Sequence, residues 1–187
     1  MAMYPTLNEM FETSVKRFAD NVALRMLIPT ERKKGRGVQL VLNEITYSRL
    51  GETVGRLAAA LQDLGVHKGD RVALISKPRA AYAMALFAVL RCGAAVLPLD
   101  PDLQRGELKR ILVEAGVCAA IFSGGKAEDL AAIRTESLPD MSLICMDRTA
   151  VEGIEFMDAV VLGHRPTASI PVTQDDLAIL MYTSGTT

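Results

Sequence analysis

RVALISKPRAAYAMALFAVLRCGAAVLPLD, residues Arg71–Asp100, sets a short apolar run, a long one and a second short one within thirty residues. Arg71–Ser76 reads as a strand, being brief, aliphatic and closed by Lys77-Pro78. Arg79–Cys92 is too long for a strand and apolar on nearly all sides, which predicts a helix buried between layers. Its apolar stretch, Ala80–Leu90, is eleven residues between Arg79 and Arg91. That is well short of the roughly 20 residues a membrane span needs. Gly93 falls at the helix C-terminus, where a left-handed residue is favoured. Ala94–Leu97 then reads as a second strand, ending at Pro98. Strand, helix and strand at these lengths predict a right-handed βαβ unit in a mostly parallel sheet covered on both faces.

The same alternation extends outward. Downstream, Gln104–Ala115 is amphipathic through Leu108, Ile111, Leu112 and Ala115, and Gly116 terminates it. Val117–Phe122, a short helix from about Ala127, and Ser142–Met146 continue the rhythm. Upstream, Tyr47–Leu64 carries Leu50, Val54, Leu57, Ala58, Leu61 and Leu64 at helical spacing, with Thr46 as its cap and Gly65 as its stop. Thr6-Leu7-Asn8-Glu9 is a capping box for a first helix whose face is Leu7, Met10, Phe11, Val15 and Phe18. Between these helices, Val22–Ile28 reads as a strand, Thr30–Gly37 as a charged loop or hairpin tip leading into apolar Val38–Leu42, and Glu44–Thr46 as a second strand. Together they predict a small antiparallel element near the N-terminus. Asp147–Gln174 is the least regular stretch and is expected to wrap the surface. The fold class is therefore α/β, in one domain over residues 1–187.

Composition narrows the function. With 21 Lys and Arg against 22 Asp and Glu, the net charge is −1, which leaves no basic footprint for nucleic acid. The first ten residues, MAMYPTLNEM, have neither a basic start nor an apolar core, so no secretory signal is expected. Cys92, Cys118 and Cys145 are odd in number, far apart and set in apolar segments, without CxxC or Cys/His spacing. A disulfide framework and a structural zinc site are not expected, and a reduced, cytoplasmic setting is.

The chemistry concentrates at Leu177–Thr187, LAILMYTSGTT. It reads as a buried strand running into a Ser/Thr/Gly turn. Gly185 frees the backbone so that neighbouring N–H groups can converge on an anion, while Thr183, Ser184, Thr186 and Thr187 add hydroxyl donors. An ordinary strand and turn has the same composition. In parallel sheets ligands lie beyond the carboxyl ends of the strands. The Thr183–Thr187 loop, Pro98–Asp102 and Ser123–Lys126 are all assigned to such ends.

LAILMYTSGTT resembles the phosphate-loop motif of the adenylate-forming superfamily, which includes acyl-CoA synthetases, adenylation domains of nonribosomal peptide synthetases, and luciferases. Ile45-Thr46-Tyr47-Ser48-Arg49-Leu50 is similar to its Thr-Tyr-x-x-Leu signature. Leu64–Leu74 and Leu90–Asp100 resemble two further segments, in the right order along the whole chain. The resemblance implies an ATP-dependent ligase that converts a carboxylic acid and MgATP to an acyl-adenylate and pyrophosphate, with the thiol of CoA or a carrier protein then displacing AMP. It implies that Thr183, Ser184, Gly185, Thr186 and Thr187 contact the β- and γ-phosphates. In relatives the motif continues with Gly, Pro, Lys and Gly, and the remaining adenine, metal and acyl contacts lie further on. The 187 residues are thus expected to be the N-terminal subdomain, inactive alone, binding ATP at best in the millimolar range, and able to self-associate through an exposed sheet edge. Thr-Ser-Gly-Thr-Thr leans toward fatty acid and other acyl-CoA synthetases, while Pro98-Leu99-Asp100-Pro101 also suits amino-acid adenylation domains. A free-standing Rossmann-like module that binds a nucleotide or a partner is the nonenzymatic alternative.

Three other features compete for a role. Ser123-Gly124-Gly125-Lys126 follows a strand but lacks the GxxxxGK[ST] spacing, so a turn with a solvated lysine is expected. No GxGxxG occurs, which removes the dinucleotide reading. Asp175-Asp176 has no third ligand nearby and reads as a solvated turn. No catalytic residue and no metal ligand is assigned within the chain.

Overall fold

The computed structural model describes residues 4–31 and 38–182. Of the predicted hairpin tip, Thr30 and Glu31 belong to a strand, while residues 32–37 and the Thr183–Thr187 loop lie outside the described residues. Helix α1 (Leu7–Arg17) begins at Thr6, whose hydroxyl accepts from the Glu9 N–H at 3.2 Å, the Thr6 half of the capping box. Strands β1 (Val22–Glu31) and β2 (Val38–Thr46) pair antiparallel. The apolar run Val38–Leu42 and the expected strand Glu44–Thr46 are thus one strand. Thr46 ends it and caps α2 (Tyr47–Asp63) by accepting from the Arg49 N–H at 3.3 Å.

From there the chain alternates as expected: β3 (Arg71–Ile75), α3 (Ala80–Arg91), β4 (Ala95–Leu99), α4 (Arg105–Ala115), β5 (Ala119–Phe122), α5 (Ala127–Ser137) and β6 (Ser142–Cys145). A two-residue strand β7 (Glu155–Phe156) and helix α6 (Met157–Gly163) follow, inside the stretch whose sequence showed no regular pattern. The five strands form one parallel sheet in the order β4-β3-β5-β6-β7.

Two cores follow from the period-two alternation of these strands. Val72, Leu74, Val96, Ala119, Ile121 and Ile144 face α1, α2, α3 and α6. Ala73, Ile75, Leu97, Ala120, Phe122 and Leu143 face α4 and α5. Helix α3 packs on α2 and the sheet through Ala85, Ala88, Val89 and Leu90, but its first half, including Tyr82 and Met84, is only half-buried. Burial of α3 is therefore one-sided in its first half, contrary to its all-round apolar sequence. Gly93 has φ +71°, and a Cβ there would meet the Lys68 Cγ at 3.1 Å and the Val172 Cγ1 at 3.3 Å. Both the backbone angle and the crowding call for glycine.

The sequence places the end of the second strand at Pro98, yet β4 runs through it to Leu99, with Pro98 opposite Leu74. The geometry explains why this is tolerated. In a parallel strand the N–H and C=O of one residue point to the same side, and alternate residues point to opposite sides. The Ala95 N–H donates toward β3, to the Asp70 carbonyl at 2.7 Å, whereas the Val96 N–H donates away from it, to the Ala178 carbonyl at 2.9 Å. Pro98 shares the parity of Val96, so its missing donor removes nothing from the β3 ladder.

The same geometry corrects the reading of the final strand. Leu177–Tyr182 lies beside β4 but is not a strand and is not buried. It makes a single parallel bridge, Val96 to Ile179, closed by the Val96 N–H to the Ala178 carbonyl and the Leu180 N–H to the Val96 carbonyl, both 2.9 Å. Leu177, Ile179 and Met181 point outward, 56, 38 and 72 % exposed. Ala178, Leu180 and Tyr182 pack inward. Among the described residues no strand lies on the outer side of this segment.

Candidate functional site

Strands β3 and β4 are neighbours, but the chain leaves them toward opposite faces: β3 feeds α3 on the first core and β4 feeds α4 on the second. Strand β5, on the other side of β3, also feeds the second face. The loops leaving β3 therefore diverge from those on both sides, and a crevice opens at the carboxyl ends of the strands. It is an open cleft of about 690 Å³ lined by Ser76, Lys77, Arg79, Asp102, Gln104 and Lys126, among others. The expected position of Ser123–Lys126 and of Pro101–Asp102 at this end holds. Leu177–Tyr182 runs parallel to β4, so Tyr182 points its chain toward the same end.

Charge in the cleft is paired. The Arg79 guanidinium donates to Asp147 at 2.8 Å. The Gly124 N–H donates to the other oxygen of the same carboxylate at 3.0 Å. Burial works against the Asp147 charge, but the Gly124 N–H and Arg79 outweigh it and hold the carboxyl below its usual range. Lys77 faces Asp102 at 3.6 Å, both largely exposed. The Asp102 N–H donates to the Asp100 carboxylate at 2.8 Å, which tightens the turn after β4.

Lys126 differs from its expected role. Its side chain is only 14 % exposed. The ammonium donates to the Leu103 carbonyl at 2.8 Å and to Asp129 at 3.2 Å. Gly124–Lys126 forms a single 3-10 turn that leads into α5. The lysine is thus a tie between two loops rather than a solvated side chain, because the turn aims it inward across the α4 entry. Asp176 is likewise engaged: it accepts from the Thr173 N–H at 2.7 Å and pairs with Lys68 at 2.8 Å.

The three thiols are free and not activated. Burial pushes Cys92 up to about 12 and Cys118 up to about 11, and raises Cys145 as well. Protonated thiols in apolar surroundings are poor nucleophiles. Among the described residues no group of three or more His, Cys, Asp or Glu could hold a metal ion. No helix among them is long and apolar enough to cross a membrane.

Thr183, Ser184, Gly185, Thr186 and Thr187 lie outside the described residues. The segment that leads to them runs parallel to β4, toward the end of the sheet at which the cleft opens. Sequence reasoning missed Ser76, Lys77 and Arg79 as cleft residues, and Asp147 as the partner of Arg79. The one available signal was the basic Lys77-Pro78-Arg79 directly after an apolar strand. Asp147 could not be found that way, since only the sheet order sets it beside Arg79.

Taken together, the parallel sheet, its helices on both faces and the crevice define a doubly wound α/β domain with a cleft at the carboxyl ends of its strands. A family model described as AMP-binding enzyme matches residues 11–187, and the chain belongs to that family. A long-chain-fatty-acid–CoA ligase of Escherichia coli O6:H1 (strain CFT073) is 31% identical over 212 residues, covering 98% of this chain and 35% of the ligase. Surfactin synthase subunit 2 of Bacillus subtilis (strain 168) is 30% identical over 185 residues, covering 97% of this chain and 4% of the synthase. The solved structure of the anthranilate CoA ligase AuaEII in complex with anthranoyl-AMP shares the fold with a TM-score of 0.82 at 20% identity, covering 100% of this chain and 34% of that one. The chain spans about a third of the length of these two ligases.

Proposed function

We propose that this chain is the part of an AMP-forming acid–thiol ligase that carries the first donors of its phosphate loop. The reaction joins a carboxylic acid to ATP, giving an acyl-adenylate and pyrophosphate. The thiol of CoA then attacks the acyl carbon and AMP leaves, forming a thioester. The observation that carries this reading is Leu177–Thr187, a Ser/Thr/Gly loop sequence at the end of a segment that runs parallel to β4 toward the cleft.

The physical problem for such an enzyme is charge. A carboxylate must approach a phosphate whose own oxygens repel it, so the polyphosphate needs dense, preorganised donors. In this reading the backbone N–H groups and hydroxyls of Thr183–Thr187 hold the β- and γ-phosphates, with Gly185 permitting the close approach. A fatty or other hydrophobic acid is the proposed substrate class, supported by the similarity to a long-chain-fatty-acid–CoA ligase. Similarity over 97% of the chain to surfactin synthase subunit 2 supports a second reading, an amino-acid adenylation domain with a carrier-protein thiol as acceptor.

The test is acid-dependent ATP–pyrophosphate exchange by the whole ligase across fatty, aromatic and amino acids. Thr186→Ala should lower the rate about 100-fold, as expected when one preorganised oxyanion donor is lost. Exchange with amino acids alone would move the reading to the adenylation domain, and no exchange with any acid would overturn both. Residues 1–187 purified alone should give no hydroxamate in the presence of ATP and hydroxylamine. They should sediment as more than a monomer if the Leu177, Ile179 and Met181 edge pairs with a second copy.

A further inference from the structure

Helix α3 ends beside a hollow that shares no residue with the cleft. It holds about 440 Å³ between α1, the start of α2, the end of α3 and the segment after α6. Phe11, Val15 and Gly51 form its apolar wall. Phe11 is buried and stacked on Phe87 with 4.2 Å between ring centroids. Gly51 brings α2 so close to α1 that a Cβ there would meet the Val15 Cγ1 at 2.7 Å. The wall is therefore fixed by packing. Facing it are Glu12, Lys16, Arg91 and Ser169.

Charge around the hollow is unevenly paired. Glu12 is the one carboxylate lining it. Its Oε1 accepts from the Ser169 hydroxyl and lies 3.5 Å from the Arg91 Nη1. It turns to these rather than to Lys16, one turn further along α1, which pairs with no carboxylate among the described residues. Arg91 is held through Nε, which donates to the Thr167 carbonyl at 2.8 Å. Its Nη2 makes no hydrogen bond among the described residues, although the side chain is only 17 % exposed, and it is not sealed from solvent. Two cations against one engaged carboxylate leave net positive charge beside an apolar wall.

We propose that this hollow is an accessory binding site for a small organic carboxylate, whose charged end takes the Arg91 Nη2 and the Lys16 ammonium while its apolar body lies on Phe11 and Val15. A guanidinium edge with an open donor suits a carboxylate in both charge and geometry. An inorganic anion gains nothing from the apolar wall, and an apolar cation meets two like charges. Arg91 closes α3 before β4 begins, whereas the cleft opens where β4 ends. The site is thus separate from the reaction proposed above and does not rest on the ligase reading.

The experiment titrates hexanoate, acetate and hexylammonium separately into the 187-residue chain and follows its amide and Arg91 Nε signals by NMR. Hexanoate should shift the signals of Phe11, Val15, Gly51, Arg91 and Ser169 together along one saturating curve. Each buried methylene strengthens binding about fourfold, so burying two of those that acetate lacks makes hexanoate about tenfold tighter than acetate. Lys16→Gln should weaken hexanoate about threefold, the scale of one exposed ion pair, and Lys16→Glu about tenfold. Lys16 is exposed, so both variants keep the fold, which unchanged signals at Val72–Ile75 would report. Equal affinity for acetate and hexanoate would reduce the hollow to surface charge and overturn the proposal. Hexylammonium binding as tightly as hexanoate would overturn it too, as would hexanoate shifts that spare Phe11 and Arg91, or an affinity unaltered in Lys16→Glu.

Discussion

Strand β3 and the segment Leu177–Tyr182 are both short apolar runs of strand-forming residues, and they end in opposite situations. In β3, Val72, Ala73, Leu74 and Ile75 are all fully buried, because β4 and β5 pair on both edges and helices cover both faces. In Leu177–Tyr182 every second side chain points outward, because among the described residues only β4 adjoins it, and only through Val96. The difference lies in neighbours rather than in hydrophobicity. A strand is buried when both its edges and both its faces find partners, and its own residues supply none of these.

This comparison breaks first if β3 proves tolerant. Leu74→Ala should destabilise the fold by about 2–5 kcal/mol in urea unfolding, the range for a large buried side chain in a core that cannot fully collapse. A smaller effect comes from the loop side of the cleft. Lys126→Ala should cost about 2 kcal/mol, since it leaves the Leu103 carbonyl and Asp129 without their charged partner. A change within a few tenths would mean that the lysine is solvated after all.

Asp147 gives a pH test of the same region. Its carboxyl is held below the usual range in the folded state, so its charge stabilises the fold above the ordinary carboxylate pKa of about 4. That contribution is lost as pH falls through the depressed folded value. The urea midpoints of the unsubstituted chain and Asp147→Asn should therefore differ at pH 6 and converge toward pH 2. Because Asp147 is 40 % exposed, the difference should be small and should shrink further with salt. The smallest expected effect is Ile179→Ala, below about 1 kcal/mol, as the side chain already faces solvent. An effect as large as that of Leu74→Ala would show that a partner covers this edge in solution.

Most elements of the sheet were legible because local chemistry marks their ends. Thr6 and Thr46 cap helices, Gly65, Gly93 and Gly116 take positive φ at helix ends, and apolar periodicity fills the intervals. Helix α6 was not legible, since seven residues flanked by Gly and Pro carry too little periodicity, and it is α2 that holds it in place through Met157 and Val160. Of the candidate site, the loop residues were legible as a type of chemistry, through hydroxyls and a glycine in sequence. The cleft was not, because Lys77, Arg79, Asp102 and Lys126 come from three separate connections, and Asp147, the partner of Arg79, from a fourth.

The sequence alone determined the alternation of strands and helices, the caps that bound them and the composition of the terminal loop, since each depends on residues within a few positions of one another. Only the tertiary structure decided which strands became neighbours, that Lys126 is a partly buried tie, and that the final apolar run is a half-exposed stem. These depend on which backbone donors and apolar faces meet across long stretches of chain. At Pro98 the two meet: one residue's covalent ring removes a donor, and the sheet order determines which neighbour goes without it.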